Sequence, residues 1–355
     1  MPDLTVRTEV VEEAHITPYA ELSYVEYGDA PIANASHLRW KFLENPQGAP
    51  VGIHLFSGDR LVGRLVAQPR RFTFPDGSEQ TAAFMVDLLI HPDFRSITAL
   101  AKLIGGLRSL AERFDFVIVT PNATGDQVWR NLVKLPERFE LGAFAAPLRP
   151  GKLARLPAWT KLATNAADAL STTLTRAIAY AFRGSITVDE AWPDAAELRT
   201  LCSVPSHTIR GSRDGAFLTW RFRNSPVFNY RMHFVRKRGR LLAYIATRTT
   251  TYAGYHCTFI VDAFGAPDCT AEDWSAARWK LLDMDAMSGG ADALMIVGNA
   301  RCGGLSRLAR LPFTRIPDAL MPQRVPLFGA SWKSDSGVSF DSSIFEFTLA
   351  DCDVV

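Results

Sequence analysis

The stretch Val86-Asp87-Leu88-Leu89-Ile90-His91-Pro92-Asp93-Phe94-Arg95 changes character within ten residues. Its first half is apolar apart from one carboxylate and reads as a buried strand. His91-Pro92 ends that strand, because proline offers no N–H and holds the residue before it extended. Beyond Arg95, the residues Ile97, Leu100, Leu103, Ile104, Leu107, Leu110, Ala111 and Phe114 recur at three- and four-residue spacing. That spacing predicts one apolar helix face running to Phe114. The short run Phe116-Val117-Ile118-Val119 then reads as a second buried strand, ending at Pro121-Asn122. Strand, helix and strand of these lengths make a crossover between parallel strands.

The same landmarks recur further along the chain. His37-Leu38-Arg39-Trp40-Lys41-Phe42 with Asn45-Pro46 is matched by Phe217-Leu218-Thr219-Trp220-Arg221-Phe222 with Ser225-Pro226. Both read L-x-W-[KR]-F-x3-P. Gly58–Gly63 matches Arg238–Ala243, Met85-Val86-Asp87 matches Ile260-Val261-Asp262, Asn122-Ala123 matches Asn299-Ala300, and Leu135-Pro136 matches Leu311-Pro312. The separations stay between 175 and 180 residues. A common period of this kind signals a repeated unit. Each copy carries an early strand, a hairpin (Val51–Phe56 with Arg60–Gln68; Tyr230–Arg236 with Arg240–Thr249), a strand through Asp87 or Asp262, a helix and a buried strand. The expected class is α/β (α+β), with a mixed central sheet flanked by helices in each copy. The expected organisation is a first domain over 1–150, a linker helix over 151–184 and a second domain over 185–355.

Composition narrows the function classes. The 355 residues carry 39 Lys+Arg and 37 Asp+Glu, a net charge of +2. A general nucleic-acid binder needs a basic excess, so no nucleic-acid partner is expected. The five cysteines (Cys202, Cys257, Cys269, Cys302, Cys352) form no C-x-x-C pair and fit a reduced, cytoplasmic protein. The start, Met1-Pro2-Asp3-Leu4, lacks the basic and apolar regions of a signal peptide. No apolar run is long enough to span a membrane. The segment 151–184 is basic at its start (Lys152, Arg155, Lys161) and rich in Ala, Thr and Leu later. It reads as a linker helix, with contact to a membrane surface as the other reading.

The pattern D-L-x-[VI]-H-P-x-[FY]-R at a strand end, feeding an amphipathic helix, resembles the core motif of the GCN5-related N-acetyltransferase (GNAT) superfamily. Gly63 on a hairpin strand before it and a buried strand ending at Asn122 after it agree with that likeness. The resemblance implies tandem GNAT-like domains, the second degenerate. It implies acetyl-CoA or another acyl-CoA as co-substrate. Its pyrophosphate would lie on the backbone of Arg95, Ser96, Ile97, Thr98, Ala99 and Leu100. Its pantetheine arm would run beside Leu88, Leu89 and Ile90 towards Asn122. Unpaired N–H groups at a helix start favour a phosphate whatever the family. Direct transfer to an amine or hydroxyl would then be helped by amide N–H groups near Leu89 and Ile90 polarising the thioester.

The chain departs from that pattern in three places. Thr98 stands where the loop's first glycine is expected, and Leu100 where a small residue is. Trp129 occupies the position of a tyrosine that acts as general acid in many members. After Asp262, the segment Ala263–Cys269 has no Arg-x-x-Gly element, and Glu272 and Asp273 oppose a phosphate there. The second copy is therefore expected to be structural or acceptor-binding.

Candidate catalytic residues are Asp87, to orient or deprotonate an acceptor, and His91, as a base near the acyl carbonyl. Each also has a packing role as its plainer reading. The remaining histidines show no metal-ligand spacing, so no metal is expected. Trp40 and Trp220, at equivalent positions, read as core. Arg236, Lys237, Arg238 and Arg240 form a basic hairpin tip. Cys302 near a helix start is a weak nucleophile candidate. The likeness extends to bacterial acyltransferases of cell-surface polysaccharide synthesis and, more distantly, to FemX-type aminoacyltransferases. The acceptor expected is a small molecule, an amino sugar or a polysaccharide precursor. A tandem protein that has lost its chemistry and serves as a scaffold is the other reading.

Overall fold

The computed structural model describes residues 3–352 except 155–160, 204–205, 289, 318–320, 322 and 334–336. In chain order, β1 (Leu4–Val10) leads to α1 (Glu13–Tyr27) and α2 (Ala35–Phe42). The hairpin β2 (Val51–Ser57) and β3 (Arg60–Thr73) turns at Gly58, whose φ of 61° suits glycine. Then come β4 (Glu79–Ile90), α3 (Ile97–Gly105), β5 (Phe116–Val119), α4 (Ala123–Gln127), β6 (Glu137–Glu140) and β7 (Gly142–Pro147). The middle of the chain holds α5 (Pro150–Leu153), α6 (Lys161–Ala181), β8 (Thr187–Asp189), α7 (Ala195–Cys202), β9 (Arg210–Gly211) and α8 (Gly215–Leu218). The rest is β10 (Arg231–Lys237), β11 (Arg240–Tyr252), β12 (Tyr255–Gly265), α9 (Ala271–Ser288), β13 (Ala293–Gly298), α10 (Gly303–Leu308), β14 (Thr314–Arg315) and β15 (Pro326–Ser331).

These elements form two compact units, each drawn from separate stretches of chain. Unit 1 is Met1–Glu140, Ile209–Phe228 and Gln323–Asp341. Its sheet runs β1-β2-β3-β4-β5-β15-β6, with β9 on β3. Only the β4–β5 pair is parallel. Unit 2 is Leu141–Thr208, Asn229–Pro322 and Ser342–Val355. Its sheet runs β14-β7-β13-β12-β11-β10-β8, and only β12–β13 is parallel.

The boundaries expected at 150 and 185 differ from these units because strands are traded. β7, from the first half of the chain, pairs with β13 from Gly142 opposite Gly298 to Pro147 opposite Ala293. β15, near the end, pairs with β5 on one side and β6 on the other. An unpaired strand edge leaves a row of polar groups unsatisfied, and each inserted strand removes one such edge. Leu327 and Phe328 of β15 are fully buried.

The core of unit 1 packs Val51, Ile53, Leu65, Met85, Leu103 and Phe328 around Trp129. The core of unit 2 packs Val235, Leu242, Ile260, Trp274, Leu281 and Leu294. The helix expected to reach Phe114 stops at Gly105 and continues as a 3-10 turn over Gly106–Glu112. At this junction a Cβ at Gly106 would sit 2.6 Å from Ile53 of β2, so glycine lets the backbone pass this close to the sheet. Ile97, expected on the apolar face, is 81% exposed in the first turn.

Candidate functional site

The site in unit 1 begins with a fault in a strand pair. Val66 faces Val86, yet Arg64 faces Leu89. Asp87 and Leu88 of β4 therefore stand opposite Leu65 alone, which is a β-bulge. Asp87 takes φ 52°, a left-handed backbone that costs on the order of 1 kcal/mol for most residues and is eased for Asp.

Two cations hold this conformation. Lys41 of α2 donates from Nζ to Asp87 Oδ1 at 2.6 Å. Arg64 of β3 donates from Nη2 to Asp87 Oδ2 at 2.7 Å. Arg64 is itself buried; it donates to the Tyr19 carbonyl and the Ser23 hydroxyl, both at 2.7 Å, and lies over the Tyr19 ring. Burial alone would raise the Asp87 pKa, but the charges of Lys41 and Arg64 outweigh it and hold the carboxyl well below the usual range. The carboxylate is thus fixed in its ionised form. It anchors the bulge, a role that suits it better than accepting a proton.

The bulge lies where the sheet opens. The β4–β5 ladder covers Ala82–Phe84 and Phe116–Ile118. β4 continues to Ile90, whereas β5 ends at Val119. Among the described residues, no strand pairs with that edge of β4 from Met85 to Ile90. Leu88, Leu89 and Ile90 border this gap, and Leu89 and Ile90 pair with β3 on their other edge.

Past β4 the chain turns onto α3. His91 caps a 3-10 turn, its Nδ1 facing the Asp93 amide at 3.3 Å, while Arg60 Nη2 lies 3.0 Å from its Nε2. Arg95 donates from Nε to the Ile90 carbonyl at 3.0 Å and pairs through Nη2 with Glu26 at the end of α1. Ser96 is the N-cap of α3 and accepts from the Ala99 amide at 3.1 Å. Ala99 is fully buried, whereas Thr98 points to solvent. The amides of Ile97 and Thr98 are first-turn donors with no intrahelical acceptor. Asn122 caps α4 by accepting from the Gly125 amide at 2.8 Å. Trp129 lies in the core, 3% exposed.

No family model and no curated protein sequence matches the chain. Solved structures do. A conserved protein of Enterococcus faecalis described as a probable N-acyltransferase superposes with TM-score 0.61 at 12% identity, over 94% of this chain and 74% of that one. A GCN5-related N-acetyltransferase of Anabaena variabilis gives TM-score 0.60 at 10% identity, over 95% and 75%. The N-myristoyltransferase of Saccharomyces cerevisiae, solved with bound myristoyl-CoA, gives 0.58 at 12% identity, over 100% and 86%.

The chain has a GNAT-like fold. Within that fold, unit 2 opens at the same point of its sheet as unit 1. The β12–β13 ladder ends at Ile260–Ile296, while β12 runs on to Gly265. Here the opening is filled by the chain itself. The Ala350 amide donates to the Val261 carbonyl at 3.2 Å, and the Asn299 amide donates to the Phe347 carbonyl at 2.8 Å. Thr348 bridges to Gly298 and donates its hydroxyl to Asp262 at 2.9 Å. Phe345, Phe347 and Ala350 are fully buried. Asp262 also accepts from Tyr244, so hydroxyls surround it where two cations surround Asp87. The α9 start is closed by Asp273, which accepts from the Thr270 amide and from Lys237.

Sequence reasoning singled out Asp87 but not its holders Lys41 and Arg64. Lys41 sat inside the Trp-[Lys/Arg]-Phe motif, whose basic position was the available signal. Trp40 and Trp220 stack at 5.0 Å, and each indole N–H donates to the other's carbonyl at 2.9 Å. The basic hairpin tip is paired: Arg236 with Glu197, Lys237 with Asp273 and Arg240 with Asp268. Cys302 is buried and donates to the Ser342 carbonyl.

One cluster in unit 1 has metal-ligand residue types. The ligand atoms of Glu9, His15 and His54 lie within 4.8 Å of one another. Their neighbours do not fit a metal. His15 Nδ1 accepts from the Glu12 amide, which leaves the proton on Nε2, facing Glu9 at 3.3 Å. His54 Nε2 lies 2.5 Å from the Tyr19 hydroxyl, whose proton it accepts as Nδ1–H turns to Glu9 at 3.0 Å. Both rings thus aim a proton, not a lone pair, at the centre of the cluster.

Proposed function

We propose that the chain is an acyl-CoA-dependent N- or O-acyltransferase whose acyl donor binds in unit 1. The observation that supports this most is the open edge of β4 from Met85 to Ile90, ending at the uncovered first turn of α3. An extended pantetheine arm has amide groups that can pair with a free strand edge. The pyrophosphate at its far end needs N–H donors of the kind Ile97 and Thr98 supply. The reaction in this reading is direct: the acceptor's nitrogen or oxygen attacks the thioester carbonyl, the carbon–sulfur bond breaks, CoA departs as its thiolate, and the acceptor's proton passes through a base or water to that sulfur. The amides near Leu89 and Ile90 would polarise the carbonyl. His91 is the imidazole nearest this edge, and Asp87 keeps the bulge in shape through Lys41 and Arg64. Acetyl-CoA or a longer acyl-CoA is the proposed co-substrate. A small molecule, amino sugar or polysaccharide precursor is the proposed acceptor.

In the same reading the chain arose by duplication, and unit 2 is the degenerate copy whose opening is now filled by residues 345–350. A second reading, a scaffold without chemistry, is favoured by the Arg95–Glu26 pair, which engages the loop's cation. Thermal shift and isothermal titration with acetyl-CoA and longer acyl-CoAs separate the two. Saturable stabilisation by CoA supports the transferase, and undetectable binding at millimolar CoA sinks it.

A further inference from the structure

Helix α6 in unit 2 is amphipathic, and its faces are reversed. The face turned inward carries Thr164, Asp168, Ser171, Thr172, Thr175 and Ala179, small or polar residues that are half-buried or buried. The contacts explain why small residues lie there. A Cβ at Gly151 of α5 would come within 2.2 Å of the Thr164 carbonyl, so the two segments nearly touch. Asp168 accepts from the Gly151 amide at 2.6 Å.

The outward face carries the large apolar residues. Leu162 is 88% exposed, Leu170 60%, Leu174 53%, Ile178 36% and Tyr180 67%. At 3.6 residues per turn, these and the alanines between them cover about half of the cylinder. Thr173 is the one polar residue among them. Arg176 and Asn165 are exposed on one border of this face, and Lys161 is exposed in the first turn of the helix on the other side. The helix's single acidic residue, Asp168, faces inward. No helix among the described residues is long and apolar enough to cross a membrane.

We propose that α6 lies in the plane of an anionic lipid surface, with Leu162, Leu170, Leu174 and Ile178 in the acyl boundary and Arg176 at the headgroups. Two features choose lipid over another protein. A partner helix covers a narrow seam and would leave the flanks of a half-cylinder wet, whereas a bilayer interface accommodates all of it. Arg176 at its border, with no outward acid on the helix, complements anionic headgroups and would not be needed for a purely apolar contact. The inference does not depend on acyl-CoA binding, and its test contains none.

The test is co-sedimentation of the full chain with vesicles of phosphatidylcholine alone and of phosphatidylcholine mixed with phosphatidylglycerol. The expected result is binding to the mixed vesicles, weakened by salt. Leu170→Asp with Leu174→Asp should weaken it roughly tenfold or more, because charged side chains would enter the boundary. Arg176→Glu should weaken it less. All substituted positions are exposed, so circular dichroism and the thermal midpoint should be unchanged. Absence of binding to the mixed vesicles overturns the proposal, as does equal binding by the aspartate variant. Equal binding to phosphatidylcholine alone overturns the anionic assignment. A wild-type dimer in light scattering that the aspartate variant breaks, without vesicle binding, assigns the face to a second copy and overturns it too.

Discussion

Two buried histidines contribute to how the molecule responds to acid. His54 in unit 1 and His233 in unit 2 are pushed down to about 4, chiefly by burial. A histidine with a lowered folded pKa stays neutral in the native state while the unfolded chain binds a proton. Stability is therefore full above the unfolded pKa of 6.5 and falls as the pH drops towards 4. The loss is on the order of 3 kcal/mol for each histidine. Urea midpoints measured across that window should fall for the wild type and fall less for His54→Gln. An equal slope in both proteins would show that His54 is not the source. Asp87 acts in the same direction at lower pH: its depressed pKa contributes stability that is full above the unfolded value of 3.8 and is lost as the pH falls below it.

Arg95 offers a sharper test of the site. Its partner Glu26 competes with a phosphate for the same guanidinium. Glu26→Gln should tighten CoA binding and Arg95→Ala should weaken it, the latter by about 1.5–3 kcal/mol for a charge-assisted bond. Thr98→Gly should leave affinity unchanged or raise it, since Thr98 is exposed beside the donors. Titration of CoA into the variants reads all three effects, and three unchanged affinities would remove the phosphate from this loop. Asp87 was legible in the sequence because a carboxylate inside an apolar strand is conspicuous. Lys41 and Arg64 were not, because their meeting with Asp87 depends on a bulge that has no one-dimensional signature.

Strands and helices were legible where periodicity was strong, and their partners were not. The run Phe116–Val119 announced a buried strand, yet nothing in it foretold that β15 would lie along its free side. Strand exchange conserves the pattern of apolar residues while changing which segment satisfies an edge. The segment 345–350 is the clearest case. It is too short to read as a strand, and Phe345 and Phe347 could have belonged to any loop. In the structure it supplies the hydrogen bonds that β12 and β13 lack once they diverge. Phe347→Ala should therefore cost about 3–5 kcal/mol, the usual range for a fully buried phenylalanine. Chemical denaturation should record that loss. Hydrogen exchange should place it at the amides of Asn299 and Ala350, the donors that join the segment to the sheet. A loss below about 1 kcal/mol, with those amides still protected, would mean that the segment merely covers the sheet.

At the scale of the whole chain, the two openings make opposite predictions about one ligand. The edge of β4 is free, its bulge is charged by Lys41 and Arg64, and the next helix begins with uncovered amides. The opening of unit 2 is occupied by residues 347–350, with Ala350 on the β12 backbone and Phe347 and Thr348 at the end of β13, its Asp262 is held by hydroxyls, and the first turn of the next helix carries acidic Asp273. An anionic, extended ligand is attracted to the first and must displace well-packed chain at the second. The expected stoichiometry is thus one CoA per chain, with protection from hydrogen exchange at residues 85–100 and none at residues 260–273. The Phe347→Ala variant extends the test, because it loosens the filled opening without supplying phosphate donors. It should still bind one CoA. Two equivalents in the wild type, or protection confined to residues 260–273, would reverse the assignment of the two units. A second equivalent gained only by Phe347→Ala would show that the segment alone keeps unit 2 closed, and that its acidic helix start is no barrier.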